Sequence, residues 1–470
     1  MNRDQAVAHA CKYFDEGQFE ADMLRRVAIP TESQTTDGLP YCLRYLTEEM
    51  CPAFEAMGFS CKIFDNPIEG AGPILLATRH EADEYPTVLG YGHGDVIRGM
   101  DDQWMEGSGP WKTARDGDRL YGRGTADNKG QHTINMAALK AALAARGALG
   151  FNAKFMIETG EENGSAGVLE VVQANIEAFN ADVLIASDGP RVQADKPTLS
   201  LGARGAMNFS LTCNLREGGH HSGNWGGALA DPAAILSHAI ASIVSQTGQI
   251  KVKEWLPPPI PQFAREALAN VVIEGGSTAP KIDPDWGEPG MTTAERVYAW
   301  NSFAVLAMLS GNPQNPVNAI APSAHALCQL RYIAGTDKDD IIPALQRHLM
   351  VGGFTNVTVE DPPPENAAGF NASRTELDAP WVIWARESIR RSTGQAPVML
   401  PQMGGSICNE VFTNTLGLPT IWIPHSYTAC SQHAPNEHVL LPLCREALCL
   451  MAGLYWDLGG GETPERNFHF

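Results

Sequence analysis

Six ionisable side chains stand just past short apolar stretches of this chain. His93 and Asp95 follow TVLGYG, Glu161 and Glu162 follow KFMIE and a two-residue turn, Asp188 follows DVLIAS, and Asp127 sits in YGRGTADNKG. Histidine and carboxylate without cysteine form a donor set for divalent ions such as zinc, manganese or cobalt. The chemistry open to such a set is metal-ion catalysis. Without positive partners, this many carboxylates would repel one another and suffer from lost hydration; two metal ions remove both costs. Each residue alone has a blander reading. Asp127 would serve as a helix N-cap, Asp188 before Gly189-Pro190 as a turn residue, Glu161-Glu162 as a solvated loop, and the His-x-Asp pair as structure. Their common position carries the argument, because ligands of open α/β sheets bind at the carboxyl ends of the strands. Three further histidines, His425, His433 and His438, lie close together near the C-terminus, and spacing alone does not choose among them.

The elements that must position these residues are legible from periodicity. PILLATR (73–79), TVLGYGH (87–93), KFMIE and DVLIAS (182–187) read as buried strands. NKGQHTINMAALKAALAARG, from Asn128 to Gly147, reads as a helix with a glycine at its end, and a second helix is expected over 167–179. Strands alternating with helices imply an α/β fold with a mainly parallel sheet flanked by helices. The texture changes near residue 200. LSLGARGAMNFSLTCNL alternates as a strand, a helix is expected over 232–245, WLPPPIPQF is too rich in proline for an interior element, ALCQLRYIAG (326–335) reads as a strand, and 339–349 reads as a helix. A boundary-like segment, 360–373, precedes a helix at 377–392 and the strand PTIWIPH (419–425). We therefore expect an inserted α+β domain over 204–372, between the two parts of the first domain, 1–203 and 373–470.

The chain has 470 residues, 44% of them hydrophobic and 19% charged, which suits more than one globular domain. A formal net charge of −20 argues against nucleic acid or an anionic membrane as a general partner. No secretory h-region and no long apolar span is seen. The ten cysteines are scattered without a C-x-x-C pair and read as reduced thiols of a cytoplasmic protein.

Six motifs in order, YGHGDV, GRGTADNKG, ETGEENGS, ASDG, HSGNWGG and HAPNE, resemble those of the M20 metallopeptidases. That family includes carnosinase-type dipeptidases, glutamate carboxypeptidases, and acetylornithine and succinyl-diaminopimelate deacylases; the stretch from His93 to Gly130 is most similar to the dipeptidase branch. The resemblance implies two divalent ions per chain, zinc first, with manganese or cobalt as alternatives. His93, Asp127 and Asp188 would hold one, and Asp127, Glu162 and His433 the other. Asp95 would orient His93, Glu161 would be the general base, and the Asp127–Asn128 peptide bond would be cis. It also implies an inserted lid and dimerisation domain whose His221 reaches the active site of the other subunit of a homodimer. Arg331 would bind a substrate carboxylate, Asn318 in the matching NAIAP segment would also bind substrate, and Gly404, Gly405 and Ser406 would hold the substrate's C-terminal end. Two departures stand out: Asn128 occupies a position where many members have aspartate, and Ile407-Cys408-Asn409 replaces a common Ile-Pro.

The expected activity is hydrolysis of the amide bond of a dipeptide or N-acyl amino acid. A small-molecule deacylase is the rival within the class. A non-catalytic protein on the same fold should have lost a ligand or Glu161, and a metal-dependent phosphoesterase should carry a basic phosphate clamp beside these motifs; neither is seen in the sequence.

Overall fold

The strand Thr87–His93 is buried along nearly its whole length, as is Asn152–Glu158. The two pair in parallel from Thr87 opposite Asn152 to His93 opposite Glu158. Burial on both faces explains why they read as continuous apolar runs rather than alternations. Val183–Ala186 pairs in parallel with the other side of Thr87–His93, and Thr420–Trp422 follows in parallel beyond it. These form the centre of an eight-stranded sheet. Ser60–Phe64 and Ile74–Arg79 extend one side antiparallel. Thr198–Ser200 and Val398–Leu400 extend the other, meeting Thr420–Trp422 through an antiparallel step. This is the computed structural model of the chain; it describes residues 2–273, 280–363 and 369–464.

The helix Lys129–Arg146 is buried over most of its length. Alanines at 137, 138, 141, 142 and 145 let it lie close to its neighbours, the helices Leu441–Leu458 and Arg3–Asp15. Gly147, at φ 86°, ends it and returns its amide to the Leu143 carbonyl at 2.7 Å. Leu139, Phe155, Ile157, Leu448 and Met451 share the resulting core. Each such buried side chain contributes about 1.5–3 kcal/mol over exposure. The helix expected over 167–179 is instead two, Val168–Ala174 and Ile176–Phe179. Asn175 interrupts it at φ −136°, with its side-chain amide donating to the Val171 carbonyl at 2.9 Å. An asparagine that satisfies the backbone locally competes with the helix.

The chain folds into two compact units: Met1–Gly202 with Asn270–Pro280 and Arg374–Phe470, and Ala203–Ala269 with Lys281–Ser373. In the second unit, Ser302–Ser310, Ser323–Tyr332, Gly205–Asn214 and Thr358–Glu360 lie side by side in an antiparallel sheet. Buried and more exposed residues alternate along Ser323–Tyr332, as expected for a sheet with one covered face. The cover is Pro232–Ile243 and Ile341–Val351, through Leu236, Ile243 and Leu345 against Phe209, Leu211 and Leu330. Asp231 caps the first of these helices on the amides of Ala233 and Ala234. The proline-rich stretch is irregular chain between the turn Lys253–Trp255 and the helix Gln262–Leu268. Its leading Trp255 is nevertheless buried and donates to the Ile341 carbonyl at 2.9 Å. Part of the segment 360–373 falls outside the described residues. Among the described residues, no helix is long and apolar enough to cross a membrane.

Candidate metal centre

The loop ahead of the long central helix carries Asp127. Two glycines allow its path: Gly124 adopts φ 86°, and a Cβ on Gly130 would collide with the Thr125 carbonyl oxygen. The Asp127–Asn128 peptide bond is cis, as the resemblance implied. The helix N-cap is Asn128, not Asp127, and it caps nothing with its side chain. Its amide instead donates to the Ser187 carbonyl at 2.9 Å, and its Oδ1 lies 3.2 Å from His132 Nδ1. Asp127 is thereby left facing the carboxyl edge of the sheet.

His93 closes its strand, fully buried. Its Nε2 stands 2.9 Å from Asp127 Oδ1 and 3.7 Å from Asp188 Oδ2. Its Nδ1 lies 3.1 Å from the Asp95 main-chain oxygen and 3.4 Å from that residue's carboxylate. Asp95 thus reaches His93 chiefly through its carbonyl. The Asp95 carboxylate also accepts the amides of Glu161 (3.3 Å) and Glu162 (3.1 Å) and the Ser33 hydroxyl (2.7 Å). The adjacent glutamates occupy a single turn, Glu161–Asn163, hung from this buried carboxylate.

His433 lies on a tight excursion closed at its base by the His438 amide donating to the Cys430 carbonyl, 2.9 Å. Ser431, His433 and Asn436 all adopt positive φ there, a conformation that non-glycine residues hold only where the surroundings enforce it. His433 Nε2 is 3.1 Å from Asp127 Oδ2 and 3.0 Å from Glu162 Oε2. His425 is buried elsewhere, with Nε2 2.9 Å from the Ser187 hydroxyl and 3.1 Å from Asn135 Oδ1. His438 Nδ1 faces the Asn436 carbonyl at 2.9 Å, and its Nε2 accepts the Tyr427 hydroxyl at 2.6 Å. Spacing left three histidines open and the resemblance named His433; of the three, His433 is the one that stands beside Asp127 and Glu162 here.

The ligand atoms of His93, Asp127 and Asp188 lie within 4.8 Å of one another, and so do those of Asp127, Glu162 and His433. Asp127 belongs to both groups. Burial, reinforced by Asp127, pushes Glu162 up to about 7 and Asp188 up to about 6. Burial, then the charges of Glu162, Asp188 and Asp127, also raises Glu161 well above the usual carboxylate range. Against the burial that would lower it, contacts with Asp127 and Asp95 hold His93 well above an ordinary histidine. Such a set is short of positive charge, and divalent cations supply it. Nitrogen and carboxylate donors in two groups sharing one aspartate fit two such ions.

Several neighbours of the site had no signal of their own in the sequence. Gln432 donates to Asp127 Oδ2 at 2.5 Å, and Asn163 donates to the Ser33 carbonyl at 2.5 Å. The Glu437 carboxylate, within the quoted HAPNE motif, gathers the amides of the Asp127 loop. The departure at 407–409 turns inward: Ile407, Cys408 and Asn409 are buried. Cys408 Sγ lies 3.4 Å from Glu158 Oε1, and Asn409 Oδ1 accepts the Trp422 indole N–H at 2.7 Å. Gly404, Gly405 and Ser406 precede it in a more open loop.

The other expected residues belong to the second unit. His221 is exposed, and its short strand His220–His221 pairs with Ala319–Ile320. The next residue, Ser222, donates both its amide (2.8 Å) and its hydroxyl (3.1 Å) to the Asn318 carbonyl. His221 and Asn318 are therefore neighbours. Arg331 is half-buried on Ser323–Tyr332, opposite Ala206 and Ser302. Arg204 is close enough to feel its charge: burial, then Arg331, pulls Arg204 down to about 10.

Comparison with known proteins places the chain in a family. The chain is 28% identical over 343 residues to the cysteinylglycine-S-conjugate dipeptidase of Corynebacterium striatum, covering 71% of this chain and 72% of that one. It is 36% identical over 183 residues to the Beta-Ala-His dipeptidase of Mus musculus, a match that spans only 38% of this chain and 37% of that protein. Human carnosine dipeptidase 1 superposes with a TM-score of 0.74 at 22% identity, over 97% of this chain and 100% of that one. The M20 family metallo-carboxypeptidase Sso-CP2 from Sulfolobus solfataricus superposes with a TM-score of 0.78 at 20% identity, over 94% and 99%; these two likenesses establish the fold. With the family model described as Peptidase family M20/M25/M40 matching residues 89–456, a span that holds both candidate ligand groups, the chain belongs to that family of hydrolytic peptidases.

Proposed function

We propose that this protein is a two-metal dipeptidase, with Glu161 as general base. The observation that carries the reading is the position of Asp127, shared between the two ligand groups. Bound there, two divalent ions would acidify a water and polarise the amide carbonyl. Zinc is our first choice for both, with manganese or cobalt as alternatives. His93 and Asp188 hold one side of Asp127, and Glu162 and His433 the other. Asp95 fixes the ring of His93 and the turn of the two glutamates at once.

Glu161 stands outside both ligand groups while lying beside them. Its carboxylate takes the proton of the attacking water and delivers it to the departing amine nitrogen. Substrate binding falls to Arg331, whose planar guanidinium suits a carboxylate, with Asn318 and the loop Gly404, Gly405 and Ser406. The relatives' named activities, on cysteinylglycine conjugates and on Beta-Ala-His, make dipeptides the substrates to assay first.

We further propose a cytoplasmic homodimer in which the second unit serves as lid and dimerisation domain, and His221 serves the partner's active site. The edge strand Ser302–Ser310 supports the dimer. It exposes Val305, Leu306, Met308 and Leu309 at the border of its sheet, an arrangement that invites pairing with a second copy. The test is a panel of dipeptides and N-acyl amino acids, offered to chelator-stripped protein reloaded with zinc, manganese or cobalt. Turnover of dipeptides by the reloaded protein alone is expected. Equal turnover in excess chelator would overturn the reading.

A further inference from the structure

Glu437 lies four residues beyond His433 and belongs to neither ligand group. Its carboxylate is fully enclosed, with the residue 1% exposed. Oε1 accepts the main-chain amides of Gly124 (3.1 Å), Ala126 (2.9 Å) and Asp127 (3.0 Å). Oε2 accepts the Gly124 amide (3.1 Å) and Nη1 of Arg123 (2.8 Å). Its own carbonyl accepts the Gly122 amide at 3.0 Å. The loop that delivers Asp127 is therefore wrapped around one side chain of the segment that delivers His433.

The other side of this clamp needs holding as well. The excursion bearing His433 contains three non-glycine residues at positive φ, Ser431, His433 and Asn436. Besides His433's own contacts, it is tied down by its base, by the Gln432 side-chain amide donating to Asp127 Oδ2 at 2.5 Å, by Glu437, and by Asn436 Oδ1, which accepts the Met105 amide at 2.8 Å. A carboxylate suits the pocket because each of these hydrogen-bond partners is a donor, and a concave run of amides is an anion seat. A glutamine would turn an N–H₂ towards those donors, and an aspartate would fall one methylene short.

We propose that Glu437 is a positioning residue that locks the Asp127 loop to the His433 loop and so sets the geometry of the Asp127, Glu162 and His433 group. The proposal rests on the reading of that cluster as a metal centre. Residues that orient ligands in this indirect way typically change metal affinity by about 10–100-fold.

The experiment is calorimetric titration of the chelator-stripped, full-length protein with Zn²⁺ and, separately, Mn²⁺. Wild type is compared with Glu437→Gln, Glu437→Asp and Arg123→Met, and amide exchange of the stripped proteins is followed by mass spectrometry. Wild type should take up two ions. Both Glu437 variants should bind one of them about 10–100-fold more weakly, with faster exchange at Gly124, Ala126 and Asp127. Arg123→Met, which leaves the amide seat intact, should lose less. Should Glu437→Gln not fold, Glu437→Asp, which keeps the charge, carries the same test. Folded Glu437 variants that bind both ions as wild type does, even with a lower unfolding temperature, would show a purely structural residue and overturn the proposal. So would an Arg123→Met variant as impaired as Glu437→Gln, since the cation rather than the amides would then be the operative partner. A wild type that takes up no ion would instead sink the metal centre itself.

Discussion

His433 Nε2 stands 3.1 Å from Oδ2 of Asp127, although 306 positions separate the two in the chain. On the opposite side, Asp127 Oδ1 is 2.9 Å from His93 Nε2. One aspartate thus faces two histidines with different oxygens, and the two ligand groups meet at its carboxylate.

The adjacent glutamates should fail differently. Glu161→Gln should lower kcat about 10²–10⁴-fold and leave metal content at about two ions per chain. Glu162→Ala should lower metal content towards about one. Elemental analysis beside steady-state kinetics separates the two cases. A Glu161→Gln protein with wild-type kcat would refute the assignment of the base.

Removing metal should cost stability as well as activity. An ion held at 100 times its dissociation constant contributes about 2.7 kcal/mol to folding. Excess chelator should therefore lower the unfolding temperature measured by calorimetry, and added zinc, manganese or cobalt should restore it. An unfolding temperature indifferent to chelator would count against tightly held ions.

His221→Ala should cripple turnover with metal content intact. Mixing it with an Asp95→Asn protein should restore part of the activity, because each mixed dimer would carry about one site with both residues native. Mixtures that stay inactive, although mass spectrometry finds mixed dimers, would rule out sharing across the subunits.

Lys154 provides a pH test remote from the candidate ligands. Its ammonium donates to the carbonyls of Asn180 (2.6 Å) and Glu177 (3.3 Å), and burial pulls it down to about 8. In the unfolded chain it titrates near 10.4. Between those values the unfolded state holds the extra proton, so this residue's contribution to stability rises with pH from about 8 to 10.4. The difference in unfolding free energy between wild type and Lys154→Met should move in favour of wild type across that window. A constant difference would mean that Lys154 is as well solvated folded as unfolded.

Much of the first unit was written in local pattern. Thr87–His93 and Asn152–Glu158 are apolar because both faces are covered, and a run of that kind is visible without a partner strand. The long central helix announced itself through alanine and leucine spacing and its terminal glycine. The break at Asn175 was missed because a side-chain bond to Val171 competes with a pattern that otherwise continues. Of the site, the residues following strands were legible, since a strand's end is a local feature.

What the sequence by itself determined is a cluster of ionisable residues and the elements they flank: His93, Asp95, Glu161, Glu162 and Asp188 just past strands, and Asp127 at the head of the central helix, follow from residue type and local periodicity. Residue spacing left the late histidine open and only a family resemblance named it; the tertiary structure shows which one lies near them. His433 reaches Asp127 and Glu162, whereas His425 is consumed by Ser187 and Asn135. It alone placed Ser33 under Asp95 and Glu437 under the Asp127 loop. It also turned Ile407, Cys408 and Asn409 into the core. The reason is physical: periodicity records which face of an element is covered, whereas a contact between residues hundreds of positions apart depends on strand order and loop path, which no local pattern encodes.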